Sequence, residues 1–268
     1  MRAVLGIVCI LLFVVSHIVA PQPPAPPKGA EGAEGAAALR RIFGPLARPS
    51  AQLARLRAAF LRSDGQRAGS IALQRFALEI DPWDADAASV LVYELVGDLS
   101  AAQPTREEER GAARGALEVL ARVEQLGAHH PELADLEALV WLRWAAPVGR
   151  ASAQERLEAL NRAIAALRPW LSRWTPAVPH AALILEERAG LLGLDGRWEE
   201  VCADLRAALA LEERLRALGD PRAASMAAWL TARIEMAEAA DRETEERARS
   251  ALRTLRPDDP LLSAPRRY

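Results

Sequence analysis

The most constraining feature of this chain is a run of apolar side chains at helical spacing. Leu157, Leu160, Ile164, Leu167 and Leu171 follow one another at intervals of 3, 4, 3 and 4. That spacing puts all five on one face of a helix and leaves the opposite face polar. The same grammar repeats along the chain. Helices are predicted at 50–63, 68–80, 84–97, 105–127, 131–146, 152–173, 179–193, 197–218, 222–240 and 242–256, separated only by short Pro, Gly and Asp signals. Ala, Leu and Arg supply 56, 39 and 33 of the 268 residues. All three are strong helix formers, while the β-branched and aromatic residues that strands favour are scarce. An all-α fold is predicted. Glu158 with Arg162, and Glu212 with Arg216, sit at the i,i+4 spacing that supports a helix. Pro131 and Pro221 fall where helices start, and Pro169 is predicted to kink or break its helix near Arg168.

Residues 3–20 contain no formal charge and follow only Met1 and Arg2. As a helix this run is roughly 27 Å long, just short of a hydrocarbon core. A membrane anchor or a secretory signal is expected. Pro21 directly after Ala20 makes a poor cleavage site, Ser16 with Val14 gives a weaker alternative, and the residues before Cys9 form no lipobox. An uncleaved anchor is the favoured reading, oriented N-inside so that the rest of the chain is periplasmic or extracellular; secretion after cleavage is the alternative. Residues 21–37, PQPPAPPKGAEGAEGAA, read as a Pro/Gly/Ala-rich linker. The helical domain then spans 38–256, and 257–268 reads as a C-terminal tail.

The helices repeat. Displaced by 131 residues, segment 58–80 lies over 189–211, with identities at Ala58/Ala189, Leu61/Leu192, Asp64/Asp195, Gly65/Gly196, Arg75/Arg206, Ala77/Ala208 and Leu78/Leu209. Each block is a helix end, an Asp-Gly turn and a second helix with small residues. This pattern resembles the tetratricopeptide repeat, a 34-residue helical hairpin with Gly at its turn and small residues at fixed places. With residue 51 as first position, Ala58, Leu61, Gly65, Ser70, Ala77 and Pro82 match. With residue 182 as first, Ala189, Leu192, Gly196, Trp198, Val201 and Ala208 match. Both units depart from the pattern at the aromatic position (Ala54, Leu185) and at a usual leucine (Arg57, Arg188), and Glu213 replaces the proline of the second. The hairpins at 84–127 and 131–174 match only as helix pairs.

The resemblance implies a right-handed α-solenoid of about five antiparallel hairpins, each burying its apolar face against its neighbours. It also implies a concave groove that holds an extended peptide or a helix. At matching positions that groove contains Gln52, Arg55, Ala59 and Arg62 in the first unit, and Leu183, Glu186, Gly190 and Gly193 in the later one. The two arginines would pair with acidic groups of a protein or peptide partner.

Chemistry-bearing residues are sparse. His129-His130-Pro131-Glu132 has metal-ligand residue types but lacks further ligands at suitable spacing, so a solvated turn is expected and no metal. The paired acids at Glu107-Glu108-Glu109, Glu186-Glu187, Glu199-Glu200, Glu212-Glu213 and Glu245-Glu246 read as solvated faces. Cys202 reads as packing and His17 as tolerated within its apolar run. Trp141, Trp144, Trp170 and Trp174 read as filling between wide hairpins, with an aromatic partner patch as the alternative. With 34 basic and 36 acidic side chains, the chain has no excess of positive charge with which to neutralise nucleic-acid phosphates. The expected role is a membrane-tethered interaction module without catalysis or cofactor. An assembly factor for an envelope complex (pilus, secretion or cytochrome maturation) is the alternative, and an enzyme with an unrecognised site is a remoter one.

Overall fold

Leu61 and Leu192 end their helices in the same way. At the first turn, Gly65 N–H donates to Arg62 O at 3.0 Å and Gln66 N–H to Leu61 O at 2.8 Å. At the second, Gly196 N–H donates to Gly193 O and Arg197 N–H to Leu192 O, both at 3.0 Å. This pair of bonds satisfies carbonyls that the helix leaves open, and it needs a residue at positive φ in the turn. Gly65 and Gly196 supply it at 76° and 71°. The 131-residue repeat is thus reproduced bond by bond.

The computed structural model describes residues 33–97, 105–145, 151–171, 178–220 and 223–265, and every regular element among them is helical. In chain order these are α1 (Ala33–Phe43), a 3-10 turn (Gly44–Leu46), α2 (Ala47–Ser63), α3 (Arg67–Ile80), α4 (Ala85–Gly97), α5 (Arg106–Gln125) and α6 (Pro131–Val140), which runs into a wider turn at Trp141–Ala145. There follow α7 (Ala153–Leu171), α8 (Ala181–Leu194), α9 (Trp198–Ala217), α10 (Ala223–Glu238), α11 (Arg242–Leu255) and a final 3-10 turn (Pro260–Ser263). Several starts carry their own caps. Thr105 Oγ1 accepts from Glu108 N–H at 3.3 Å while Glu108 reaches back to Thr105 N–H at 2.7 Å. Ser152 and Glu155 do the same for α7, and Asp241 accepts from Thr244 N–H at 2.8 Å for α11.

The chain divides into two compact units, Met1–Leu133 and Ala134–Tyr268. In the first, α2 turns Ala51, Ala54 and Ala58 inward, and α3 answers with Ala77 and Ile80. Side chains this small let the two helices close tightly. Phe43 seals their end and meets Phe76 edge-on at 6.1 Å. Helix α5 buries Ala113, Ala116, Val119, Leu120 and Val123. The second unit has a larger core, drawing Leu160 and Leu167 from α7, Ile184 and Leu192 from α8, Val201 and Leu205 from α9, Leu230 and Met236 from α10 and Leu252 from α11. Each such side chain contributes about 1.5–3 kcal/mol when taken from water.

Three expectations need correction. Helix α1 starts at Ala33, inside the stretch read as linker; its alanines favour helix once Leu39, Ile42 and Phe43 supply an apolar side. Helix α7 continues through Pro169 to Leu171, since a proline this near a helix end disturbs only the last turn. Most consequentially, 257–265 is no free tail. Leu261 is fully buried in the core of the second unit, and Asp259 is buried with it. The expected anchor at 3–20 lies outside the described residues. Among the described residues, no helix is long and apolar enough to cross a membrane.

Candidate functional site

The four residues expected to line a groove in the first unit do come together. Gln52, Arg55, Ala59 and Arg62 of α2, with Leu56 between them, form one wall; Gln74 of α3 and Val90 of α4 complete an open groove of about 360 Å³. The spacing from 52 through 55, 56 and 59 to 62 follows one helical face, beside that of the inward alanines. The arginines are held from below. Arg55 pairs with Asp84, and Arg62 Nη1 lies 3.7 Å from Glu94 Oε2. Asp84 is itself fixed by capping α4, accepting from Ala87 N–H at 2.9 Å. Glu94 is buried and accepts from Ser70 Oγ at 3.2 Å and from the Gln74 amide. The oxygen Oε1 of both Gln74 and Glu94 is buried without a hydrogen-bond partner. The groove therefore has an aliphatic middle, a guanidinium rim and acceptor oxygens beneath. A second cleft of about 260 Å³, floored by Leu78, Val119, Val123 and Leu126, is narrowed by Arg122 gripping both oxygens of Glu79 at 2.7 and 2.8 Å.

The matching residues of the second unit do not form an open groove. Leu183 is partly exposed, but Glu186 is buried beside Arg233, and Gly190 and Gly193 lie under the chain's own residues 260–264. A Cβ on Gly193 would overlap Leu261 Cδ2, and one on Gly190 would stand 3.6 Å from Pro260 Cβ. Arg249 holds this segment by its backbone, donating to Leu262 O at 2.8 Å and Ala264 O at 3.1 Å, and is itself fixed by Glu245 at 2.7 Å. Asp259 accepts from Trp229 Nε1 at 2.7 Å and lies 3.4 Å from Arg233 Nε. The sequence reading missed this cluster. Its signal in the sequence is the i,i+4 pair Trp229 and Arg233, which shares one face of an alanine-rich helix.

Three of the acids read as solvated are buried: Glu186, Glu212 and Glu245. Burial pushes the Glu186 carboxyl up to about 7, with Arg233 opposing the rise and Glu212 adding to it. The folded state then holds a proton that the unfolded chain, with a value near 4.5, has already released. Stability from this group is complete below about pH 4.5 and lost as pH rises through 7, a difference of about 3 kcal/mol. Denaturation of the wild type is expected to show this decline between pH 5 and 8, and Glu186→Gln to flatten it. Equal slopes for the two proteins would contradict the assignment.

The remaining candidates carry less. His129 and His130 stand near Glu124 and Glu132, at 3.4 and 2.9 Å. Among the described residues, no three His, Cys, Asp or Glu side chains are grouped to hold a metal. Cys202 is half-buried against the second core. Trp141 and Trp170 pack against that core, with the Arg162 guanidinium 4.9 Å from the Trp141 ring centre. Trp144 and Trp174 fall outside the described side chains. Compared with known proteins, the chain matches no family model, and no curated sequence matches it either.

Proposed function

We propose that this chain is a membrane-tethered interaction module of tetratricopeptide-like helical hairpins, and that its first unit holds a partner segment in the groove of Gln52, Arg55, Ala59 and Arg62. The observation that carries this reading is the meeting of those four residues in one open concavity with exposed Leu56 and Val90. Aliphatic contacts supply area, and the two arginines orient carboxylates of an acidic segment. The later unit is not a second groove of this kind, because its equivalent face is occupied. Anchoring through 3–20 and placement of the helical domain outside the cytoplasmic membrane complete the proposal. Binding rather than catalysis is its substance.

The test uses the detergent-purified full chain against a displayed library of short peptides. Selection is expected to enrich acidic peptides with a leucine or similar side chain. Ala59→Trp, which fills the groove from an exposed position, is expected to weaken the selected peptide at least tenfold, and Arg62→Gln to do so in a salt-dependent way. Unchanged affinity in Ala59→Trp would remove the groove from the proposal.

A further inference from the structure

Helix α2, with Leu46 just before it, carries a second apolar stripe that is open to solvent and meets the groove wall at Leu56. Leu46, Pro49, Leu53, Leu56 and Phe60 recur at intervals of 3, 4, 3 and 4. The large ones are open to solvent: Leu53 at 67%, Leu56 at 59% and Phe60 at 57%. Ile42, at the end of α1, is 78% exposed beside the same turn. An isolated exposed leucine is ordinary, whereas a continuous helical stripe of them marks a contact surface.

Charge indicates what covers it. Residues 33–63 contain six arginines and one glutamate, a formal +5 in a chain whose total is −2. Arg48, Arg55 and Arg62, on the groove side, are turned toward Asp81, Asp84 and Glu94. Arg41 and Arg57 are exposed, and Arg57 lies one helical step from the stripe, between Leu53 and Phe60. An apolar helical face edged by arginines is the pattern of helices that lie in the headgroup region of a bilayer. Position agrees. Only residues 21–32 separate the uncharged run 3–20 from the start of α1, and twelve residues extend at most roughly 40 Å. A contact too weak to hold a free protein becomes populated when a tether keeps it near its surface.

We infer that the Leu53–Phe60 face of α2 docks on an anionic phospholipid surface, laying the first unit against the membrane that its leader enters. The inference rests on the tethering part of the proposed function; the docking face shares Leu56 with the groove wall, whereas Leu53 and Phe60 lie outside the groove.

The full chain, with Cys9→Ala and Cys202→Ala, is labelled with an environment-sensitive fluorophore at Leu53→Cys and, as a control, at exposed Arg114→Cys on α5. Labelled proteins that melt as the wild type does are reconstituted with vesicles of phosphatidylcholine alone or with three-tenths phosphatidylglycerol. Both contain a nitroxide lipid. The label at 53 is expected to be quenched at least threefold in anionic vesicles, with the control unchanged, and Arg41→Gln with Arg57→Gln to remove most of that quenching. Protein that floats with the vesicles while label 53 stays unquenched would overturn the docking and leave the anchor standing. Protein that fails to float with either vesicle would overturn both. A label that responds only to an added protein partner, and to neither lipid, would reassign the stripe to protein contact.

Discussion

Asp259→Ala is expected to destabilise the second unit by about 3–5 kcal/mol, the range for removing one partner of a buried ion pair. Arg233 is 2% exposed and has Asp259 as its facing carboxylate at 3.4 Å. Burial already drives the Arg233 guanidinium below its ordinary value, and Asp259 is the largest influence resisting that. Alanine would also strand the Trp229 N–H and the Leu261 N–H, which donate to Asp259 at 2.7 and 2.9 Å. Asp259→Asn keeps one acceptor oxygen, enough for Trp229 but not also for the Leu261 N–H, and loses the charge, so most of the effect is expected. The measurement is native-state amide hydrogen exchange, which reads each unit separately where a single melting curve would blend them. Protection should fall in α8, α10 and α11 and stay unchanged in α2 and α3. A loss below about 1 kcal/mol would mean that the cluster is solvated in solution.

Gly193→Leu and Leu261→Ala form the second large-effect pair. Leu261→Ala leaves a cavity in a packed core and is expected to cost about 2–5 kcal/mol. Gly193→Leu gains helix propensity, close to 1 kcal/mol, yet its new side chain occupies the space that Leu261 fills. Overpacking is therefore expected to win, for a net loss of about 1–3 kcal/mol. The double variant decides whether the two side chains share one site. If they do, the leucine at 193 fills the space left by alanine at 261, and the combined loss falls short of the sum by at least about 1 kcal/mol. Strict additivity would show that residues 259–264 do not cover α8.

The hairpins were readable because their signals are local. Asp64-Gly65 and Asp195-Gly196 set a turn within four residues, and the inward alanines of α2 and α3 lie within thirty residues of one another. The groove of Gln52, Arg55, Ala59 and Arg62 was readable for the same reason, as one face of one helix. Gly190 and Gly193 failed as groove residues because what covers them arrives from a distant part of the chain. A small-residue stripe looks the same whether it awaits a ligand or already seats Leu261. Arginine conceals the other cluster. Arg233 and Arg249 sit in helices rich in charge or alanine, and nothing nearby in sequence says that their partners are Asp259 and the carbonyls of 262 and 264. Polar residues that satisfy one another deep inside a protein need coordinates to be recognised.

The late arrival of Leu261 has a consequence for biogenesis. It follows Gly193 by 68 residues, so at about 5–20 residues synthesised per second the nascent α8 waits roughly 3–14 s for its cover. The backbone turn at Asp64-Gly65 and the inward alanines of α2 and α3, by contrast, are all within reach as soon as α3 emerges. During that interval Ile184 and Leu192 lack part of their final surroundings, and a holdase has its best opportunity to engage the growing polypeptide there.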